Sequence, residues 1–147
     1  MSYIFNEFST GNPDGPSFSS VVRIAREKGY TVSSILIVYQ LPNPQQEPHP
    51  ADDLNGFDVA RKLTILSRII ASSSLPPLKS FLTVQTTSLI PAALENIPTG
   101  DEFVSRLPEF DAHFDAIRKD ASKQAQVLRY VGVIDPANGV VKAGLEK

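Results

Sequence analysis

The sequence predicts an α+β fold, with helices packed on a small sheet that is mixed or antiparallel. Residues 54–70 carry apolar side chains at helical spacing, and residues 101–126 are also typical of a helix. The last residues of the sequence contain two β-branched runs, VLRYVGVI at 127–134 and GVVKAGLEK at 139–147, which predict paired strands. The 147 residues offer room for one modest domain.

The first forty residues predict two helices and a strand. The apolar stretch YIFNEF at 3–8 is compatible with a helix. Ser17 or Ser19 can cap a second helix that runs through VVRIAREKGY and stops at Gly29. The β-branched run SILIVY at 34–39 predicts a short strand.

The middle of the chain predicts a helix between two loops. The proline-rich stretch 41–52 predicts a loop, and Asp53 then occupies the position of a helix N-cap. The helix that follows from Leu54 is apolar on more than one side, so we expect it to be substantially buried. The stretch ASSSLPPLKS at 71–80 predicts the second loop.

The C-terminal half predicts a strand, a broken helix and a hairpin. Residues 81–90 favour a strand in at least part of their length. In the helix predicted over 101–126, Pro108 predicts a break or a second start. Its first turn carries Asp101 and Glu102, which suit the positive end of the helix dipole. Turn residues over 135–139 predict that the last two strands form an antiparallel hairpin.

The composition excludes several classes of function. The formal net charge is −2, so the chain lacks the basic footprint of a protein that binds nucleic acid or an anionic membrane. The sequence has no Cys and two His, which leaves no thiolate site and little for a transition metal. No apolar run approaches the roughly 20 residues that span a bilayer, and the N-terminus does not resemble a secretory signal. We therefore expect a cytoplasmic protein without a metal site.

Charged residues cluster around the start of the central helix. Glu47, Asp52 and Asp53 are three carboxylates in the proline-stiffened loop before it. Asp58 and Lys62 are four residues apart, so they share one face of the helix. Carboxylates can hold the ammonium group of an amino-acid substrate. A lysine beside an aspartate can pass a proton to or from a substrate hydroxyl.

Each of these features also has a purely structural explanation. An aspartate–lysine pair at this spacing is common on solvated helix faces, where it adds about 0.3–0.5 kcal/mol. Asp53 can serve only as the helix N-cap, with Asp52 as a solvated neighbour. Gly56, in contrast, leaves the helix entry unobstructed, which lets a ligand or another backbone come close. Spacing alone therefore does not establish a site.

Several segments resemble the homoserine dehydrogenase family. The chain has GYT at 29–31, EP at 47–48 and DDLNGFDVARK at 52–62. These match a family pattern of a Gly–aromatic–small triplet, a proline-containing loop and D-[aliphatic]-x-G-x-D-x-x-x-K. The segments SYIFNEFSTG, SLIPAALE, DEFVSRL and VLRYVGVID resemble the fungal form of the enzyme. The resemblance covers nearly the whole chain outside residues 32–46 and a weaker stretch around 70–85.

The resemblance implies oxidation of L-homoserine to L-aspartate 4-semialdehyde with NAD(P), or the reverse, in threonine, methionine and isoleucine synthesis. In the family, the residue that matches Lys62 is the proposed general acid or base, and the residue that matches Asp58 lies beside it. The residues that match Glu47 and Asp53 bind the substrate, largely through its ammonium group. The resemblance also implies that the full enzyme is a homodimer.

The chain departs from the family in its extent. No G-x-G-x-x-G follows a predicted strand. We therefore expect residues 1–147 to form an incomplete catalytic domain without the Rossmann domain, which binds most of the NAD(P), and to be inactive alone. By the resemblance, a second catalytic lysine, the cofactor loop and metal-binding backbone carbonyls lie upstream. The alternatives are a non-catalytic paralogue that acts only in subunit association and an amino-acid-binding module, which only the acidic loop favours.

An insertion separates Thr31 from Glu47, which would be adjacent in the family. Residues 32–46 are either a retained intron or an ordinary surface insertion that adds an edge strand. The intron hypothesis rests on Val32–Ser33 and Gln46, which common splice-site sequences can encode.

Neither histidine suggests a metal site. His49 stands where the family usually has Asp, Asn or Ser, and we interpret it as a tolerated loop substitution, since no partner His lies near it in sequence. We expect His113, on the helix predicted over 101–126, to be packed or solvent-facing.

Overall fold

A computed structural model describes residues 1–30, 49–70 and 76–147 of the chain. It confirms the α+β fold, because helices pack on a three-stranded mixed sheet. The strand predicted at 34–39 and the insertion at 32–46 lie outside the described residues.

The two predicted N-terminal helices are confirmed. Helix α1 spans Ser2–Phe8 and helix α2 spans Phe18–Glu27. Ser17 is the N-cap of α2, and its hydroxyl accepts a hydrogen bond from the backbone N–H of Ser20. Gly29 follows the end of α2 with φ +72°, a left-handed conformation that favours glycine over residues with a Cβ.

The central region contains two helices where the sequence predicts one. Helix α3 spans Ala51–Leu54 and helix α4 spans Phe57–Ile69. Gly56, at φ +78°, is the N-cap of α4. The prediction that Asp53 caps the central helix is therefore wrong, because this residue lies inside α3 and Gly56 ends one helix before the next begins.

The prediction that the central helix is substantially buried is also wrong. One face of α4 packs on the sheet through Ala60 and Leu63, whose side chains are buried. Ile65, Leu66 and Ile69 lie on exposed surface, and Ile69 is 74% exposed. The apolar residues on several sides of this helix therefore leave an apolar surface in the described structure.

The helix predicted over 101–126 is broken at the expected place. Helix α5 spans Gly100–Arg106, a 3₁₀ turn spans Leu107–Phe110, and helix α6 spans Asp111–Lys123. Pro108 lies in the 3₁₀ turn, where its missing N–H interrupts the α-helical hydrogen bonds. The side chain of Thr99 caps α5 by accepting a hydrogen bond from the Glu102 N–H.

The sheet has the order β1–β3–β2. Strand β1 is short, Gln85–Thr86, and follows a 3₁₀ turn at Phe81–Thr83. Strands β2 (Arg129–Asp135) and β3 (Val140–Glu146) form the predicted antiparallel hairpin. Strand β1 joins the other edge of β3 in parallel, which makes the sheet mixed.

Two apolar clusters of described residues hold these elements together. The larger cluster joins α1, α2, α3, α5 and α6, and the smaller cluster joins α4 to the sheet. Representative buried members of the larger cluster are Phe5, Phe8, Phe18, Leu54, Phe103 and Leu128, and those of the smaller cluster are Ala60, Leu63, Val84, Val141 and Ala143. Among the described residues, no helix is both long and apolar enough to cross a membrane.

Candidate functional site

The predicted aspartate–lysine pair forms at the start of α4. The Nζ atom of Lys62 donates a hydrogen bond to Oδ2 of Asp58 at 2.7 Å. The two side chains are 69% and 45% exposed, respectively, so the pair faces solvent in this chain. At this exposure the pair adds little to stability, and both groups remain accessible to a ligand.

Asp53 lies on α3 close enough to this pair for their charges to interact. Its Oδ2 atom is buried and has no hydrogen-bond partner among the residues that the structure describes. Burial raises the pKa of Asp53, and the neighbouring carboxylates of Asp58 and Asp52 raise it further. The positive charges of the Met1 amino group and Lys62 lower the same pKa in part. A carboxylate with a buried, unpartnered oxygen beside an ion pair is suited to accept a hydrogen bond from a cationic ligand.

The open entry predicted at Gly56 is occupied by the protein's own side chains. A Cβ at this position would lie 2.0 Å from the hydroxyl oxygen of Tyr130 and 2.8 Å from Cγ2 of Thr86. The sequence therefore predicts that another group comes close to Gly56, but it does not predict that this group is the side chain of Tyr130. Tyr130 comes from β2, and local spacing carries no information about a contact over such a sequence distance.

Glu47, the remaining predicted substrate ligand, lies outside the described residues, as does Thr31 of the GYT triplet. The structure therefore brings together three of the four predicted site residues, namely Asp53, Asp58 and Lys62.

His49 makes two hydrogen bonds at the start of α3. Its Nδ1 accepts from the backbone N–H of Ala51 at 3.2 Å, and Nε2 lies 3.1 Å from the carbonyl oxygen of Ile97. These bonds fit the neutral tautomer with the proton on Nε2. Asp, Asn or Ser at this position could make the bond to the Ala51 N–H, which explains in physical terms why His can replace them.

An apolar cavity of about 400 Å³ lies elsewhere, beside α6. Its walls include Ile90, Phe110, Phe114 and Leu145, with the exposed His113 at the same cavity. None of the three described site carboxylate and lysine residues lines it. The described residues that line it include no Asp, Glu, Lys or Arg, and His113 is their one titratable side chain.

The described residues do not fit a dinucleotide or a metal. In the part of the sheet that the structure describes, the parallel pair is β1 with β3, and residues 87–91 after β1 contain no glycine to cradle a phosphate. Over the same described residues, no group of three or more His, Asp or Glu side chains is arranged to hold a metal ion.

Comparison with known proteins identifies the family. The family model described as homoserine dehydrogenase matches residues 43–146. The chain belongs to the homoserine dehydrogenase family. The homoserine dehydrogenase of Saccharomyces cerevisiae is 40% identical over the whole chain, and that of Schizosaccharomyces pombe is 42% identical. Members of this family are oxidoreductases that use NAD(P).

A plant relative and a solved structure are also similar to the chain. A chloroplastic bifunctional aspartokinase/homoserine dehydrogenase of Daucus carota is 42% identical over 97% of the chain, which corresponds to 13% of that protein. A crystal structure of a Candida auris protein of unknown function matches with a TM-score of 0.80 and 38% identity. That match covers 98% of this chain and 35% of the other.

The chain spans about a third of the length of the yeast homoserine dehydrogenases, 36% and 34% respectively. The homology therefore concerns one portion of these enzymes, and that portion contains the start of α4.

Proposed function

We propose that this chain forms the substrate-binding and proton-transfer part of an NAD(P)-dependent homoserine dehydrogenase. The observation that carries the proposal is the Asp53 carboxylate, whose buried oxygen lacks a partner in the described structure and which lies within electrostatic reach of the Asp58–Lys62 pair. An amino acid with a side-chain hydroxyl has an ammonium group that can bind the carboxylate of Asp53. Its hydroxyl can exchange a proton with Lys62 of the ion pair.

Asp53 would hold the ammonium group of L-homoserine. An ammonium donates up to three hydrogen bonds, and the carboxylate of Asp53, whose Oδ2 has no partner among the described residues, would accept one of them. The added positive charge would also lower the pKa of Asp53, so substrate and ionised carboxylate stabilise each other. Glu47 is the second proposed ammonium ligand, on the strength of its place in the family pattern.

Lys62 would transfer the proton of the substrate hydroxyl. During oxidation, the neutral amine takes up the proton that leaves the oxygen. In the reverse direction, the ammonium returns a proton to the same oxygen. Asp58 accepts a hydrogen bond from Nζ at 2.7 Å and so orients the lysine for this step. The dinucleotide would be bound by another part of the enzyme, since the described residues do not fit it.

A chimera tests this proposal in a complete enzyme. Residues 1–147 would replace the matching segment of the S. cerevisiae homoserine dehydrogenase, and homoserine-dependent reduction of NADP would be measured. We expect turnover from the chimera and none from the chain alone. Lys62→Met should lower kcat roughly 10²–10⁴-fold with a smaller change in KM. Asp53→Asn should mainly raise KM.

Lys142→Met is the matched control, because Lys142 also forms an exposed ion pair, with Glu146 at 2.9 Å. This variant should keep the kinetics of the unmodified chimera. A folded chimera without turnover, or one that is insensitive to Lys62→Met, would contradict the proposed function.

A further inference from the structure

The candidate site is divided between the two apolar clusters. Helix α3, which carries Asp53, packs on the larger cluster through Leu54. Helix α4, which carries the aspartate–lysine pair, packs on the smaller cluster through Ala60 and Leu63. Tyr130 of β2 packs against both clusters. The relative position of the two helices therefore depends on what holds the bend between them.

The hydroxyl of Tyr130 lies directly against that bend. It donates a hydrogen bond of 2.7 Å to the carbonyl oxygen of Thr87, and it fills the space where Gly56 would otherwise carry a Cβ. This hydroxyl is protonated at neutral pH and able to donate, and burial raises the pKa of Tyr130 further. The Cγ2 methyl of Thr86 contacts the same face of Gly56. The backbone of the bend is thus packed against two side chains of the sheet.

A second connection reaches α3 through the backbone. The N–H of Thr87 donates to the carbonyl of Ala143 on β3 at 2.8 Å, which ties residue 87 to the sheet. Two residues later, the N–H of Leu89 donates to the carbonyl of Leu54 at 2.9 Å. The hydrogen bond from Tyr130 to the Thr87 carbonyl therefore fixes the segment that holds the C-terminal end of α3.

We propose that Tyr130 is a positioning residue of the homoserine site. Its hydroxyl fixes the α3–α4 bend at Gly56 and so sets the separation between the Asp53 carboxylate and the Asp58–Lys62 pair. This inference rests on the proposed function for its effect on substrate, whereas its effect on the geometry of Asp53 does not require a ligand.

The first test uses the 147-residue chain without ligand. The carboxyl group of Asp53 would be titrated by ¹³C NMR in the wild type and in Tyr130→Phe. Loss of the hydroxyl should loosen the bend and admit water to Oδ2, so the pKa of Asp53 should fall toward the ordinary aspartate value. A role in global stability alone would leave the titration of the folded state unchanged.

Two further variants make this test specific. Tyr3→Phe is the matched control, because the Tyr3 hydroxyl accepts a surface hydrogen bond from Lys28 at 3.1 Å, and it should leave the Asp53 titration unchanged. Thr86→Ser removes the methyl group against Gly56 and keeps the hydroxyl that donates to the Val84 carbonyl. It should shift the pKa of Asp53 in the same direction as Tyr130→Phe does. If Tyr130→Phe does not fold, Thr86→Ser tests on its own whether packing against Gly56 fixes the bend.

The second test uses the chimera with the S. cerevisiae enzyme. Tyr130→Phe should raise KM for L-homoserine roughly three- to tenfold, the effect of losing one hydrogen bond, and change kcat less. Unchanged KM and an unchanged Asp53 titration in both Tyr130→Phe and Thr86→Ser would overturn the positioning role. If the parent chimera shows no turnover with L-homoserine, the proposed function fails, and the Asp53 titration still decides whether Tyr130 holds the bend.

Discussion

We expect Asp53 to weaken the fold at neutral pH. Burial raises its pKa, so the folded state holds the proton more tightly than the unfolded state does. The stability that this group contributes is therefore present below the ordinary aspartate pKa and is lost as pH rises through the raised pKa. This residue is an example of a polar group whose burial costs stability at a proposed substrate site.

Asp53→Asn should consequently stabilise the chain at pH 7. Removing the buried charge should raise the free energy of unfolding by about 1 kcal/mol and Tm by about 2–4 °C. The difference from wild type should shrink as pH falls through the raised pKa, where the aspartate is protonated. Thermal unfolding followed by circular dichroism at several pH values measures both effects.

Asp52→Asn is the control, because Asp52 is exposed and its replacement should change Tm little at any pH. An Asp53→Asn variant that is less stable than wild type at pH 7 would mean that this carboxylate has a partner when ionised.

At the same scale, the sequence predicted the Asp58–Lys62 contact because helical spacing alone determines it. It did not predict that Asp53 lies inside a helix. α3 has four residues, Ala51–Leu54, which is too short for apolar periodicity to reveal. The sequence also did not predict that Oδ2 of Asp53 has no hydrogen-bond partner among the described residues, because burial depends on packing between distant segments.

Elements meet at Gly56, where a left-handed residue separates α3 from α4. The apolar pattern runs on through this glycine, so the sequence predicted one helix starting at residue 53. The hairpin of β2 and β3 was predictable, since turn residues and alternating β-branched positions act locally. The parallel pairing of β1 with β3 was not predictable from local sequence, because it joins Gln85 to Lys142 across most of the second half of the chain.

Gly56→Ala should destabilise the chain more than Gly29→Ala. Both glycines have positive φ, so each alanine costs about 1–2 kcal/mol in backbone strain. At Gly29 a Cβ meets no atom of the described residues within 4 Å, whereas at Gly56 it collides with Tyr130 and Thr86. Overpacking of this kind adds roughly 1–3 kcal/mol. Urea unfolding of both variants measures the difference, and equal losses would refute the close packing at the bend.

At the scale of the whole molecule, Arg118 joins distant segments of the larger cluster. The side chain is buried on α6 and forms a 2.8 Å ion pair with Asp115. It donates to the carbonyls of Pro16 at 2.7 Å and Phe8 at 3.4 Å, and its guanidinium lies over the Phe8 ring. These contacts tie the connection between α1 and α2 to the C-terminal half.

Arg118→Met should therefore lower the free energy of unfolding by about 2–4 kcal/mol, because it removes the donor to the buried Phe8 carbonyl and the ion pair with Asp115. Arg23→Met is the control. It removes an exposed pair with Glu27 at 2.9 Å and should cost about 0.3–0.5 kcal/mol. Equal effects in chemical denaturation would show that Arg118 does not connect these segments.

The division of the core into two clusters has a consequence for motion. Local opening of either cluster would carry one of the two helices away and separate Asp53 from Lys62 while the rest of the chain stays folded. We therefore expect the lifetime of the proposed site to be set by the cluster that opens more readily, and not by global unfolding. Amide hydrogen exchange should accordingly show two opening rates, one for α3 and one for α4. The helix that exchanges more slowly belongs to the cluster that opens less often.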